Sequence, residues 1–482
     1  LSGEKVSRLI VPWARSPAER DVSVLAQSFN HRIAQAVSVL DATIMSESIK
    51  LLNPGHPHAY KFLTTSTTLI VLSTCARTAL RDATAYKVLD QSRISLGTIE
   101  LYRGVLYRQW SGDMAFEIER LTVGGLALIA YAAECKPTLN RSKKVNPADY
   151  KPLHAKPYCT CGFVKPSVSD IKNLLENGRI PVVVMDGDKL RVCDSTNHPY
   201  IAISHVWADG LGSMTEVGLP RCQITRIANL ARQVVAGGAF WLDALCVPED
   251  KTARKRAIEL MAKTYEMAEK VLVTDGGIRE QCSLSSPKED LLLRITTSGW
   301  MQRIWTLQEG VLARELVFEV SNGVVDITHF SGASYTIALK VLAFLQHRPH
   351  DEAKQKVGQI CPTPPRCNFN DLIPLLRHRK TSKPEDEPIA VAGVLGVSSS
   401  SLVAIHGLEN RMRELLLQCR TIPRSVAVTG WNSKKLALPG FSWAPASVSE
   451  ILWGTEWPDP FSAQVTPDGL RALYTVIRFP DT

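Results

Sequence analysis

The sequence predicts an α/β protein whose central sheet is parallel and carries helices on both faces. A mainly helical region precedes this sheet and a smaller mixed α/β region follows it. Two observations lead there. Between residues 180 and 275, short β-branched runs alternate with segments whose apolar residues recur every three or four positions, the pattern of strands joined by crossover helices. In addition, three stretches set ionisable residues beside tryptophans in apolar surroundings: Tyr200–Gly212 (YIAISHVWADGLG), Phe240–Pro248 (FWLDALCVP) and Gly299–Ala313 (GWMQRIWTLQEGVLA). Polar groups at strand ends above a packed sheet are what a ligand site needs.

At 482 residues the chain exceeds one ordinary core, and two or three domains are expected. We place a helical region at 1–150, the sheet domain at 166–330 and the mixed region at 331–482. Apolar content of 45% and charged content of 21% describe a globular chain. The net charge of +9 is mild for this length. It leans toward a phosphate-bearing ligand and does not indicate nucleic acid, because basic groups such as Lys251–Arg256 and Arg377–Lys380 lack interleaved aromatics. The 11 cysteines are odd in number and mostly in apolar contexts (Cys75, Cys135, Cys246, Cys419), which suits a reducing, cytoplasmic compartment. No stretch reaches the ~20 apolar residues of a membrane span.

Taken in order, Val22–Ala36 and Ala115–Ala132 predict amphipathic helices, Thr64–Cys75 stays open between strand and helix, and Leu121–Ala133 reads as a buried helix. Lys136–Lys156 is polar, contains proline and reads as a linker. Ile180–Met185 and Leu190–Cys193 flank Asp186-Gly187-Asp188-Lys189 and predict a hairpin. Tyr200–Trp207 predicts a strand ended by Gly210 and Gly212. Cys222–Val235 predicts a helix, and Phe240–Val247 a strand stopped by Pro248. Thr252–Glu269 is the clearest helix, with Ile258, Met261, Tyr265 and Ala268 on one stripe. Val271–Thr274 is a strand before Asp275-Gly276-Gly277, and Gly299–Ala313 a helix. Right-handed crossovers would place the strand carboxyl ends on one edge. Beyond residue 330, Ser334–His347 reads as a helix and Cys361–Arg366 as a proline-rich break. Asp371–Arg377 and Ile389–Leu395 are short elements around an exposed loop, Lys383 to Pro388. Phe461–Val465 and Leu470–Phe479 are strands about a Pro467-Asp468-Gly469 turn.

Three constellations carry candidate chemistry. On a helix, Trp305 and Glu309 stand one turn apart and share a face. A carboxylate beside indoles is poorly solvated, which raises its pKa unless Arg303 pairs with it. Such a group suits acid–base work or the stabilisation of a developing cation; an Arg303–Glu309 ion pair pinning the helix is the structural alternative. In the first strand, Ser204 and His205 point to opposite faces, which disfavours a serine–histidine nucleophile pair. The strand end, with Trp207, Asp209 and the glycines beyond, instead lets backbone approach a ligand; a core histidine satisfied by backbone is the alternative. Asp243 is unfavourable in a buried strand unless partnered, and nearby Cys246 reads as a small core residue. His154, Cys159 and Cys161, with Cys193, are zinc-ligand types. Their spacing is not C-x-x-C and no second paired half follows, so no metal site is expected.

These segments together resemble the fungal heterokaryon incompatibility (HET) domain: Tyr200–Trp207 (YIAISHVW), Phe240–Pro248 (FWLDALCVP), Arg254–Asp275 (RKRAIELMAKTYEMAEKVLVTD) and Arg303–Gly310 (RIWTLQEG). Arg377–Glu387 and Leu438–Ser447 resemble what often follows that domain. The resemblance implies a role in nonself recognition and regulated cell death. It also implies distant kinship with TIR domains, hence a flavodoxin-like sandwich. NAD-cleaving TIR proteins carry a glutamate in a W-C-x-x-E-L-like helix; WTLQEGVL resembles it, with Glu309 in the glutamate's place and Thr306 and Gly310 departing from the pattern. The resemblance thus implies NAD as a substrate, with Glu309 catalytic; if the strand ends converge, Ser204, His205, Asp209, Asp243 and Arg303 would line its pocket, with Trp207 or Trp305 stacking on a base. It equally allows a non-enzymatic module that self-associates or binds a protein partner in incompatibility signalling.

Overall fold

The computed structural model describes residues 150–326, 367–376, 379–427, 434–449 and 461–474, together with Tyr107, Trp110 and Ala115. Apart from Ala115, the segments Val22–Ala36, Thr64–Cys75, Ala115–Ala132, Leu121–Ala133, Ser334–His347 and Cys361–Arg366 lie outside the described residues, as does most of Lys136–Lys156. The chain divides into two compact units, one of residues 1–139, 287–297 and 330–343, the other of 140–286, 298–329 and 344–482. In the first unit, the helix Lys288–Thr296 carries Arg294, whose guanidinium lies 5.9 Å from the centre of the Trp110 ring.

The second unit is built on seven strands: β2 (Pro181–Asp186), β3 (Lys189–Asp194), β4 (Tyr200–His205), β6 (Ala239–Trp241), β7 (Lys270–Thr274), β8 (Leu316–Val320) and β9 (Gly323–Asp326), in the order β3-β2-β6-β4-β7-β8-β9. The short β1 (Phe163–Val164) pairs apart from this sheet with β5 (Leu219–Pro220). The four strands β6, β4, β7 and β8 are mutually parallel. The sheet as a whole is mixed, which corrects the expectation of a parallel one. β2 runs antiparallel to β3 and β6, and β9 antiparallel to β8. The reason is local: tight hairpins at Gly187 (φ +55°) and at Ser321-Asn322 turn the chain straight back, and only antiparallel strands can be joined that way. Every residue of β4 is buried, as a central parallel strand covered on both faces requires.

The helices are α1 (Val168–Glu176), α2 (Arg221–Val234), α3 (Asp243–Cys246), α4 (Lys251–Glu259), α5 (Met261–Met267), α6 (Gly276–Gln281) and α7 (Trp305–Val311). Three differ from expectation. The strand from Phe240 ends at Trp241, and Asp243 opens α3, where its carboxylate accepts the Ala244 amide at 2.6 Å, a local bond that competes with extended backbone. The helix Thr252–Glu269 breaks at Leu260, where the Thr264 hydroxyl donates to the Leu260 carbonyl (3.0 Å), a back-bond that bends helices. The Gly299–Ala313 helix begins only at Trp305, so Trp300 and Arg303 sit in the preceding turns.

The same unit continues as α8 (Phe369–Leu376), α9 (Glu387–Leu395), α10 (Ser399–Ala404) and α11 (Leu408–Cys419), with a small antiparallel sheet of β10 (Thr421–Pro423), β11 (Ser462–Thr466) and β12 (Gly469–Arg471). Leu307 of α7, Leu372, Val391, Met412 and Phe441 share one apolar core here. Within the expected exposed loop, Glu387 is buried and accepts the Val448 and Ser449 amides at 2.7 and 2.9 Å. No helix among the described residues is long and apolar enough to cross a membrane.

Candidate functional site

The polar ends of β4 and β7 organise the site. Ser204 is fully buried; it accepts the Trp300 indole N–H at 2.6 Å and donates its own hydroxyl to Glu309. Trp300 is held in turn by its amide on Asp275 (3.1 Å), by Thr306 on its carbonyl (2.5 Å) and edge-on by Phe318. Gly310 lets this indole close on the helix, since a Cβ there would lie 3.0 Å from the ring. Tyr265, bonded to the Ile203 carbonyl at 3.3 Å, flanks Glu309. Burial pushes the Glu309 carboxyl up to about 7. The Ser204 hydrogen bond pulls it back, the charge of Asp243 adds to the rise, and His205 and Arg303 offset part of it.

On the other face of β4, His205 Nε2 lies 2.7 Å from Asp243 Oδ1, and the Trp207 indole donates to Asp243 Oδ2 at 2.9 Å. Burial works against the Asp243 charge, but the His205 ring and the hydrogen bonds from His205, Trp207 and Ala244 outweigh it and hold the carboxyl below its usual range. Ser204 and His205 therefore serve separate partners, as their alternation requires. His205 and Thr274 are register neighbours on adjacent parallel strands. Both are buried, and among the described residues neither His205 Nδ1 nor Thr274 Oγ1 has a hydrogen-bond partner. Two such groups side by side at a strand end suit a polar ligand.

Asp209 accepts the Gly276 amide at 2.7 Å. Sequence reasoning missed its neighbour Asp275, which caps α6 through the Gly277 and Ile278 amides (2.9 and 3.1 Å). Burial and the Asp209 charge push Asp275 up to about 6 against those hydrogen bonds. Also missed was Tyr150, inside the expected linker. Its ring stacks on Trp207 (centroids 6.3 Å apart), while its hydroxyl donates to the Trp207 carbonyl (2.7 Å) and accepts the Gly212 amide (2.9 Å).

The structure thus brings together Ser204, His205, Trp207, Asp243 and Glu309, with Asp209 beside Asp275. Arg303 stands within electrostatic reach of Glu309 but makes no ion pair with it among the described residues. Trp305 is placed elsewhere: it packs against the core of the C-terminal helices, with its indole toward Asp386. The indole that bonds Ser204, the partner of Glu309, is Trp300. Cys246 is buried in α3, where burial pushes its thiol up to about 12, as befits an inert core residue. Cys193 faces Arg191 (3.0 Å), away from His154, Cys159 and Cys161. The fold gives those three a different fourth neighbour, Cys222, which their sequence spacing had no means of showing.

No curated protein and no solved structure matches this chain. Residues 200–290 match the family model described as Heterokaryon incompatibility protein (HET), a span that runs from β4 through α6 and includes Ser204, His205, Asp243 and Asp275. Residues 200–290 thus carry a HET domain, and heterokaryon incompatibility is the role after which that family is described.

Proposed function

We propose that this HET domain binds a nicotinamide dinucleotide at the carboxyl ends of β4 and β7 and breaks its nicotinamide–ribose bond, with Glu309 as the catalytic carboxylate. The observation that carries the reading is the crowding of polar groups at the carboxyl end of β4: Ser204 bonds Glu309, whose carboxyl burial pushes up to about 7, while on the opposite face His205 and its register neighbour Thr274 each hold a buried, unpartnered polar atom. Numbered by chain position, the parallel strands run second-first-third-fourth. That order supports a flavodoxin-like, TIR-like sheet, whose switch point falls between β4 and β7, where such sheets bind ligands.

The chemistry follows from the bond. As the C1′–N bond breaks, nicotinamide leaves with the electron pair and positive charge builds on the ribose; water then adds to C1′ and loses a proton. An ionised carboxylate near C1′ stabilises that charge. Ser204 orients Glu309 and is itself held by Trp300, Asp243 orients His205, Trp207 holds Asp243 in place, and Arg303 offers a cation for phosphate. Nicotinamide release from NAD by the purified chain tests the reading; a folded chain that releases none rejects it.

A second reading, a non-enzymatic signalling module acting through self-association or a protein partner, is favoured by one observation. Ser204 and Trp300 are closed to solvent, so their network with Glu309 also suits a load of purely structural hydrogen bonds. Light scattering separates the two: oligomers without NAD loss favour the module.

A further inference from the structure

We infer that His154, Cys159, Cys161 and Cys222 form a structural zinc site, independent of the nucleotide reading. The four ligand atoms lie within 4.8 Å of one another. His154 Nδ1 is 3.5 Å from Cys161 Sγ and 3.6 Å from Cys222 Sγ. A tetrahedral Zn(II), with Zn–S about 2.3 Å and Zn–N about 2.0–2.1 Å, requires nitrogen and sulfur about 3.6 Å apart and sulfurs about 3.8 Å apart. The two nitrogen–sulfur distances already have that value, and Cys159 Sγ lies within 4.8 Å of the other three ligand atoms.

The donor chemistry selects the metal. Three thiolates and an imidazole are soft to borderline ligands, poor for magnesium or calcium and suited to zinc. Four protein ligands fill the tetrahedron, which is the mark of a structural site. The surroundings are arranged accordingly: the Ala155 amide points at Cys222 Sγ (3.2 Å) and the Cys222 amide at Cys161 Sγ (3.4 Å). Such N–H···S contacts stabilise thiolate. The His154 ring is set edge-on against Phe163, which fixes its orientation. None of the four residues belongs to the site at β4 and β7.

The role follows from what the metal would join. Residues 150–162 contain no helix or strand, and their apolar anchors are weak, with Leu153 50% and Tyr158 96% exposed. Cys222 stands in the first turn of α2, which packs on the sheet. Zinc would clip the loop to that helix, and with it the chain leading to Tyr150, the residue stacked on Trp207. A segment too short to build a core is the setting in which a metal supplies the folding energy.

Elemental analysis of the full chain, purified under a thiol reductant without chelator, should find about one zinc per chain. Cobalt(II) added to metal-stripped chain should give the visible bands and near-ultraviolet charge transfer of a tetrahedral thiolate site, saturating at about one equivalent and reversed by zinc. The Cys161→Ser/Cys222→Ser double variant should lose most of the zinc and of the cobalt intensity, while Cys193→Ser keeps both. Proteolysis between residues 150 and 162 should accelerate several-fold on metal removal. If the double variant does not fold, the wild-type cobalt spectrum decides, since its intensity reports three thiolates. A folded wild-type chain with neither zinc nor cobalt bands, a disulfide among these cysteines under reductant, or bands that survive the double substitution would overturn the site.

Discussion

The Ser204 hydroxyl donates to the Glu309 carboxylate across 105 residues of chain, joining the end of a buried strand to a helix formed much later. The same oxygen accepts the Trp300 indole N–H. Ser204→Ala removes both bonds at once. It leaves an indole N–H unsatisfied in the interior, so urea denaturation should show a loss of about 1–3 kcal/mol. Because that hydrogen bond lowers the Glu309 pKa, its removal should also move any pH-rate midpoint upward.

The two raised carboxyls set a pH dependence of stability. Glu309 rises from 4.5 to about 7 and Asp275 from 3.8 to about 6. A native state that holds these protons more tightly than the unfolded chain is favoured fully below the unfolded pKa values and loses that advantage as pH rises through the folded ones. Between about pH 4.5 and 7, Glu309 alone should therefore cost the fold on the order of 2–3 kcal/mol. Glu309→Gln should flatten that slope in a melting series; an unchanged slope would place the carboxyl in water.

Asp243 has the opposite sign. Its folded pKa is depressed, so its contribution stands above the unfolded pKa and disappears as pH falls through the folded one. Asp243→Asn should erase this acid-limb loss. It should also reduce nicotinamide release by roughly 10²-fold or more, because the partner that orients His205 is gone. Retained folding by circular dichroism separates this effect from collapse.

Away from the site, Arg226 of α2 grips both carboxylate oxygens of Glu319 in β8, which is itself 4% exposed. Arg226→Met leaves this buried carboxylate only its longer, 3.7 Å contact with Arg279, and chemical denaturation should register a loss of about 3 kcal/mol. The double variant Arg226→Met/Glu319→Leu should recover most of it, since the carboxylate leaves with its main partner and Arg279, 28% exposed, stays partly solvated.

Much of the sheet was legible in the sequence because β-branched runs such as Ile180–Met185 and Val271–Thr274 have no competing local partner, and both strands formed. Legibility failed where a side chain bonded its own backbone. Asp243 turned a strand into a helix, and Thr264 split one helix into two. Trp305, at the start of α7, packs against the C-terminal core, and Trp300 in the preceding turns bonds Ser204 instead. Ser204, His205, Asp243 and Glu309 were legible as polar groups among aromatics. Tyr150 and Cys222 were not, because only the folded chain shows what they adjoin.

The most direct measurement compares nicotinamide release by the wild-type chain and by Glu309→Gln at pH 8, where the wild-type carboxyl is mostly ionised. With matched circular dichroism spectra, the wild type should turn NAD over and the variant should lose at least about 10²-fold. Equal turnover by the two proteins would contradict the assignment of Glu309.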